Sequence, residues 1–292
     1  MRRAYIAAMT SFSDFPVLRF GVVADPQYAA RKPHVGMDRH YANSLAKLSE
    51  AIEVFNGEDL SFVITLGDII DRDFESFDDI LPVYDRLKHE NYFLLGNHDF
   101  AVAADRLADV ASRVGLASSY YSFVRQGWRF IALNGNEVST FAPPEGHADR
   151  EVAARRLAEL RATGAANAQD WNAMPGDEQF AWLSDQIEDA GAAGERVIVM
   201  NHYPVYPPNE HDGWDRERMI ALLAAHGHVA AYFSGHNHAG NFGTLDGCHF
   251  LNFKGMVDTE SQNTFAIVEI RADRIEVRGF GREDSRTLKL RR

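Results

Sequence analysis

Apolar, β-branched runs recur along the chain, and five of them end in a short polar cluster. FGVVA at 20–24 leads into Asp25-Pro26-Gln27, FVITL at 62–66 into Gly67-Asp68 with Asp71 beyond, and YFLL at 92–95 into Gly96-Asn97-His98-Asp99. RVIVM at 196–200 is followed by Asn201-His202, and VAAYFS at 229–234 by Gly235-His236-Asn237-His238. Unbroken runs of this length predict buried strands. Between them the period changes. From about 37 to 56, Leu45, Leu48, Ile52 and Phe55 fall at helical spacing, and 75–89 and 101–114 read as helices too. RFIALNG at 129–135 is a further strand. Gly176-Asp177-Glu178-Gln179 reads as a helix start, with Phe180, Trp182, Leu183 and Ile187 on its apolar face. Past residue 243 the chain becomes consecutive short strands: CHFLNF, TFAIVEI and RIEVRGF. A helix-alternating first part and a β-rich end predict two packed sheets with helices outside.

Residues 136–176 break the pattern, with Pro143-Pro144 and an Ala/Arg/Glu-rich helix. Strands resume after them, so they read as an insertion or lid within one domain covering 1–292. Residues 1–17 read as an N-terminal extension.

In an open α/β sheet, ligands gather in the crevice at the carboxyl ends of the strands. The five clusters would therefore deliver carboxylates, amides and imidazoles to one place. That set suits two metal ions ~3.5–4 Å apart, the usual device for attacking a phosphoryl centre. Asp68 is the natural bridge, because a carboxylate has two oxygens. Asp25, Gln27 and His238 would complete one site, and Asn97, His202 and His236 the other. Oxygen and imidazole donors suit Mn²⁺, Fe, Co²⁺ or Zn²⁺. His98 would protonate the departing oxygen or hold the phosphate, with Asp71 orienting its ring. Arg72 could hold a phosphate oxygen. Tyr28, Tyr206, Trp214 and Phe242 are candidates to stack a nucleobase. The other histidines, including His211, read as ordinary packing or surface residues.

Composition narrows the field. A net charge of −12 argues against nucleic acid or an anionic membrane as partner. It leaves room for a small phosphorylated substrate, because bound cations would reverse the local field. The single cysteine, Cys248, allows no intrachain disulfide and fits a reducing compartment. No apolar run reaches the ~20 residues of a membrane helix, and no signal peptide is read in the first residues. The expected location is the cytoplasm. The sequence does not set an oligomeric state.

The ordered set D-x-Q, GD-x-x-D, GNHD, NH and GH-x-H resembles the calcineurin-like metallophosphoesterase superfamily. Gln27 stands where most members have histidine. With Ala24 before it and Tyr28 after, this form is similar to the manganese-dependent ADP-ribose/CDP-alcohol diphosphatases. GDIID at 67–71, LNG at 133–135, WN…G…EQ…WL from Trp171 to Leu183, SGH-x-H at 234–238 and KGMVDT at 254–259 extend the likeness. The resemblance implies a four-layer α/β/β/α sandwich of two mixed sheets and divalent-metal-dependent phosphohydrolysis. It implies Mn²⁺ as cofactor, metal roles at the matching Asp25, Gln27, Asp68, Asn97, His202, His236 and His238, and a nucleotide diphosphate conjugate as substrate. Other readings remain open at this point: a phosphodiesterase or monoesterase of the same superfamily, or a non-catalytic metal-binding module on the same fold.

Overall fold

The computed structural model describes residues 16–291. The N-terminal extension expected over 1–17 lies almost wholly outside them. In chain order the strands are β1 (Leu18–Val23), β2 (Phe62–Leu66), β3 (Glu90–Leu94), β4 (Tyr121–Arg125), β5 (Trp128–Ala132), β6 (Arg196–Met200), β7 (Val229–Ser234), β8 (Asn241–Leu245), β9 (Cys248–Asn252), β10 (Thr264–Ile270), β11 (Arg274–Gly281) and β12 (Arg286–Lys289). The helices are α1 (Ser44–Asn56), α2 (Ser76–Tyr84), α3 (Val110–Arg113), α4 (Ala148–Thr163), α5 (Asp177–Ala193) and α6 (Arg216–Ala224).

One sheet runs β12-β11-β10-β1-β2-β3 and the other β4-β5-β6-β7-β9-β8. Both are mixed. The strands β1, β2 and β3 are parallel to one another, as are β5, β6, β7 and β9, while the outer pairs are antiparallel. The period of two along a strand sorts residues into layers. Phe62, Ile64 and Leu66 of β2 enter the core between the sheets, while Val63 turns to the helices outside. Rings tie the sheets together. Phe62 stacks on Phe20 with centroids 4.8 Å apart and meets the edge of Phe130 of the other sheet at 5.0 Å. Leu48, Ile52 and Phe55 of α1, with Phe77 and Ile80 of α2, cover the first sheet. Phe180, Leu183 and Ile187 of α5, with Met219 and Leu223 of α6, cover the second. The result is a helix–sheet–sheet–helix sandwich.

Several boundaries differ from the sequence expectation. The helix expected from about 37 is two short 3-10 turns, Val35–Met37 and Tyr41–Asn43, followed by α1. The helix expected over 101–114 is a 3-10 stretch, Ala104–Asp109, running into the single turn α3. There the Ala101 carbonyl accepts the Asp73 N–H at 3.2 Å instead of a helical partner. RFIALNG is strand only to Ala132. In the 136–176 segment, α4 packs through Ala153, Leu157 and Leu160 around Val138, Met174 and Trp214. The strands β4, β8 and β12 and the helix α6 had no counterpart in the sequence reading.

Candidate metal centre and active-site cleft

The loops after β1, β2, β3, β6 and β7 meet at one end of the sandwich. Those after β1 and β2 continue the parallel pairing past the strands: Gln27 N–H donates to the Asp68 carbonyl at 2.8 Å, and Tyr28 N–H to that of Ile69 at 3.1 Å. Asp25, Gln27, Asp68 and His236 all have positive φ, between 42° and 70°. Left-handed backbone at non-glycine residues is costly and concentrates at functional sites. Here it turns each side chain inward as its strand ends. Gly96 allows the closest approach. A Cβ there would collide with the Asp68 carboxylate and come within 2.6 Å of the His202 ring.

Asp68 stands between two groups of donors. One ligand atom each from Asp68, His202 and His236 lies within 4.8 Å of the others, and so it is for Asp25, Asp68 and His238. All five side chains are buried. Asn97 joins the first group, its Oδ1 3.2 Å from His202 Nε2. Gln27 joins the second, its Nε2 donating to Asp68 Oδ2 at 2.8 Å. Gln27 Oε1 is buried with no hydrogen-bond partner. An unpaired buried acceptor is uncommon, and an amide carbonyl oxygen is a donor for a hard divalent cation. The residues present fit a pair of metal ions.

The imidazoles are oriented from behind. His202 Nδ1 donates to the Leu66 carbonyl at 2.8 Å, so Nε2 keeps its lone pair for the centre. His238 Nδ1 lies 2.8 Å from Asp258 Oδ1, again freeing Nε2. His236 Nε2 lies 3.0 Å from Asn172 Oδ1, which leaves Nδ1 inward. Partners of this kind fix the tautomer and the basicity of a ligating histidine. The Asp25 carboxylate accepts the His236 N–H with both oxygens, at 3.0 and 3.1 Å. Burial pushes the Asp25 carboxyl up to about 6.

His98 is half-buried beside the cluster. Its N–H donates to Asp68 Oδ1 at 2.8 Å, and its ring Nδ1 lies 3.2 Å from Asp71 Oδ1. Burial opposes its charge, but Asp68 and Asp71 outweigh burial and raise its pKa above the usual histidine value. Asp71 is buried and accepts from Arg31 at 2.9 Å and from Arg72 Nε at 3.0 Å. Arg72 is thus tied to Asp71 with its side chain half exposed, and it is not among the residues lining the cleft.

A cleft of about 350 Å³ opens over Gln27, Asp68, Asn97, His98, His236 and His238, with Met37, Arg39, Trp171 and His211 as its other walls. The four aromatic candidates stand elsewhere. Tyr28 is buried against the first helix layer with its hydroxyl on Asp79. Trp214 is fully buried in the cluster under α4 and has no free face. Tyr206 packs on Phe250, and Phe242 of β8 lies along His249. Trp171, 42% exposed, is the ring that reaches the cleft. Asn172, Asp258, Trp171 and His211 escaped the sequence reading as site residues. Asn172 and Asp258 did fall inside the WN and KGMVDT stretches that extended the likeness. Asp99 escaped as well. It is buried and accepts from Ile70 N at 3.0 Å and Gly96 N at 2.9 Å, which locks the β3 loop to the β2 loop.

Comparison with known proteins agrees with this geometry. A manganese-dependent ADP-ribose/CDP-alcohol diphosphatase of Arabidopsis thaliana is 26% identical, over 95% of this chain and 98% of that protein. The human protein of the same name is 24% identical, over 94% and 93%. Among solved structures, a dimetal phosphatase from Danio rerio shares the fold with a TM-score of 0.86 at 24% identity, covering 94% of this chain and all of that one. A purple acid phosphatase from yellow lupin shares it with a TM-score of 0.59 at 13% identity, covering 95% of this chain and 55% of that one. The family model for calcineurin-like phosphoesterases matches residues 18–240, which takes in every strand-end cluster. The chain belongs to the calcineurin-like phosphoesterase family and is a metal-dependent phosphohydrolase.

Proposed function

We infer that this phosphohydrolase is a dinuclear, Mn²⁺-dependent diphosphatase that cleaves the diphosphate linkage of nucleotide conjugates such as ADP-ribose or CDP-alcohols. The observation that carries the two-ion reading is Asp68, the one carboxylate common to both donor groups. In this reading Asp25, Gln27, Asp68 and His238 hold one ion, and Asp68, Asn97, His202 and His236 hold the other. The substrate class is supported by the diphosphatase relatives, which align over nearly the whole chain.

Bound divalent ions would supply Lewis-acid charge and a water acidic enough to attack at neutral pH. The chain's own residues do the rest. Asp68 and Asp71 favour the charged form of His98 and raise its pKa, and in this reading His98 delivers a proton to the departing phosphate oxygen. Asp71, held by Arg31 and Arg72, fixes the ring that does so. The 136–176 segment acts as a wall or lid within a single catalytic domain, a role supported by Trp171 in the cleft and Asn172 on His236. A cytoplasmic setting goes with this reading. Its support is the lone, buried Cys248, and no described helix is long and apolar enough to cross a membrane.

The test is a hydrolysis panel in Mn²⁺ covering ADP-ribose, CDP-choline, cyclic nucleotides and phosphomonoesters, with metal content measured on the same sample. The expected result is two ions per chain and fastest turnover of the diphosphate conjugates. Preference for a cyclic nucleotide or a monoester would replace the diphosphatase reading with another activity of the family.

A further inference from the structure

One imidazole in the cleft has no task in the reading above. His211 lies between β6 and α6 and forms part of the cleft wall. Its ring meets that of His236 edge-on, with centroids 5.3 Å apart and planes at 83°. Its backbone is pinned: His211 N–H donates to Asn209 Oδ1 at 2.8 Å, and Asn209 is held in turn by Asp212. Its Nδ1 is buried with no hydrogen-bond partner. The Glu210 carboxylate approaches Nε2 only to 3.9 Å, beyond hydrogen-bonding reach. By contrast, His98, His202, His236 and His238 each have at least one ring nitrogen on a polar partner. No hydrogen bond holds either nitrogen, and with Nδ1 shut off from the surface, Nε2 is the one that a ligand in the cleft can engage.

The placement says which part of a ligand. His98 reaches the cleft from the loop after β3 of the first sheet, and His211 from the loop after β6 of the second. His98 is bonded to Asp68 and Asp71, whereas His211 leans on His236. A substrate with two linked phosphoryl groups can therefore be held by one histidine from each sheet. We propose that His211 is a specificity residue, donating a ring N–H to a phosphoryl oxygen of the group that is not attacked. The cleft then favours diphosphates over single phosphate esters. The inference rests on the diphosphatase reading and gives it a residue. A neutral imidazole suffices for it, since one nitrogen always carries a proton.

The test compares binding of methylenediphosphonate and of orthophosphate to the Mn²⁺-loaded protein by calorimetry, with bound Mn²⁺ counted by EPR. Wild type should bind methylenediphosphonate the more tightly. In His211→Phe, which keeps a ring on His236, affinity for methylenediphosphonate should fall about tenfold or more while that for orthophosphate stays within about twofold, the scale of a lost hydrogen bond to a charged group. The Mn²⁺ count should not change. His211→Asn, which restores a donor, should recover part of the loss. Unchanged methylenediphosphonate binding in His211→Phe overturns the proposal, and so does an equal loss for both probes or a loss of Mn²⁺. A wild type that hydrolyses neither ADP-ribose nor CDP-choline overturns the diphosphatase reading instead, and the two-probe comparison still decides His211.

Discussion

The candidate ligands share a local signature, a polar residue placed where an apolar run stops. That is why Asp25, Asp68, Asn97, His202, His236 and His238 could be picked from sequence. Residues that act on those ligands from behind have no such signature. Asp258 follows a short turn and Asn172 sits in an irregular segment, and each gains its meaning only from the imidazole it meets in space. The aromatic candidates show the reverse error. Tyr28 and Trp214 are near motifs in sequence, yet both side chains are needed by the core. Two predictions belong at this scale. His98→Ala should keep its metals and lose roughly 10²–10⁴ in rate, the range for a general acid–base group. The loss should shrink for p-nitrophenolate, which leaves without a proton, and an equal loss across leaving groups would give His98 a phosphate-holding role instead. Asp258→Asn should weaken Mn²⁺ binding by roughly 10–100-fold, the usual cost of removing a carboxylate behind a ligating histidine. An EPR-monitored Mn²⁺ titration reads it directly, and wild-type affinity would show that His238 orients itself unaided.

At the scale of elements, legibility followed burial. The strands β2 and β7 are buried throughout and β1 and β10 nearly so, and all four stood out as apolar runs. The strands β4 and β8 lie at sheet edges, mix half-buried with exposed residues, and carry too little apolar signal to be seen. The stretch after β3 misled for a different reason. Its apolar spacing suits a helix, but the His98 loop is bonded to the β2 loop through Asp68 and Asp99, and the chain beyond it forms a 3-10 stretch and a single α turn. The element that ties the layers together is β2. Phe62 is fully buried and contacts the rings of Phe20, Phe130, Phe123 and Tyr92. Phe62→Ala should destabilise the protein by about 3–5 kcal/mol, the cost of emptying an aromatic site in a close-packed core. Urea denaturation measures this. A loss below about 1 kcal/mol, the scale of a well-tolerated core change, would mean the two sheets repack without that ring.

At the scale of the molecule, the site is where the two sheets are joined by polar groups. The first sheet contributes Asp25, Gln27, Asp68 and Asn97 from the ends of β1, β2 and β3, and the second contributes His202, His236 and His238 from the ends of β6 and β7. Each donor group draws on both sheets. A cation in either would cross-link the halves of the sandwich and neutralise carboxylates that burial penalises. Stability should therefore depend on metal. Ligand bound only by the native state adds RT ln(1 + [L]/Kd), about 2.7 kcal/mol at a hundredfold excess over Kd. That corresponds to a rise in Tm of several degrees, taking the low end of the ~2–4 °C per kcal/mol typical of 150–250 residues for this longer chain of 292. Thermal unfolding followed across Mn²⁺ from a chelator baseline to millimolar should show Tm climbing with the logarithm of concentration once the sites fill. Asp68→Asn should flatten most of that slope, because it removes a ligand from both donor groups at once, whereas His238→Ala should flatten only the part due to one. A Tm independent of Mn²⁺ while activity still requires it would mean the metals enter with substrate and are not held by the folded chain alone. Equal slopes in the two variants would deny Asp68 its shared position.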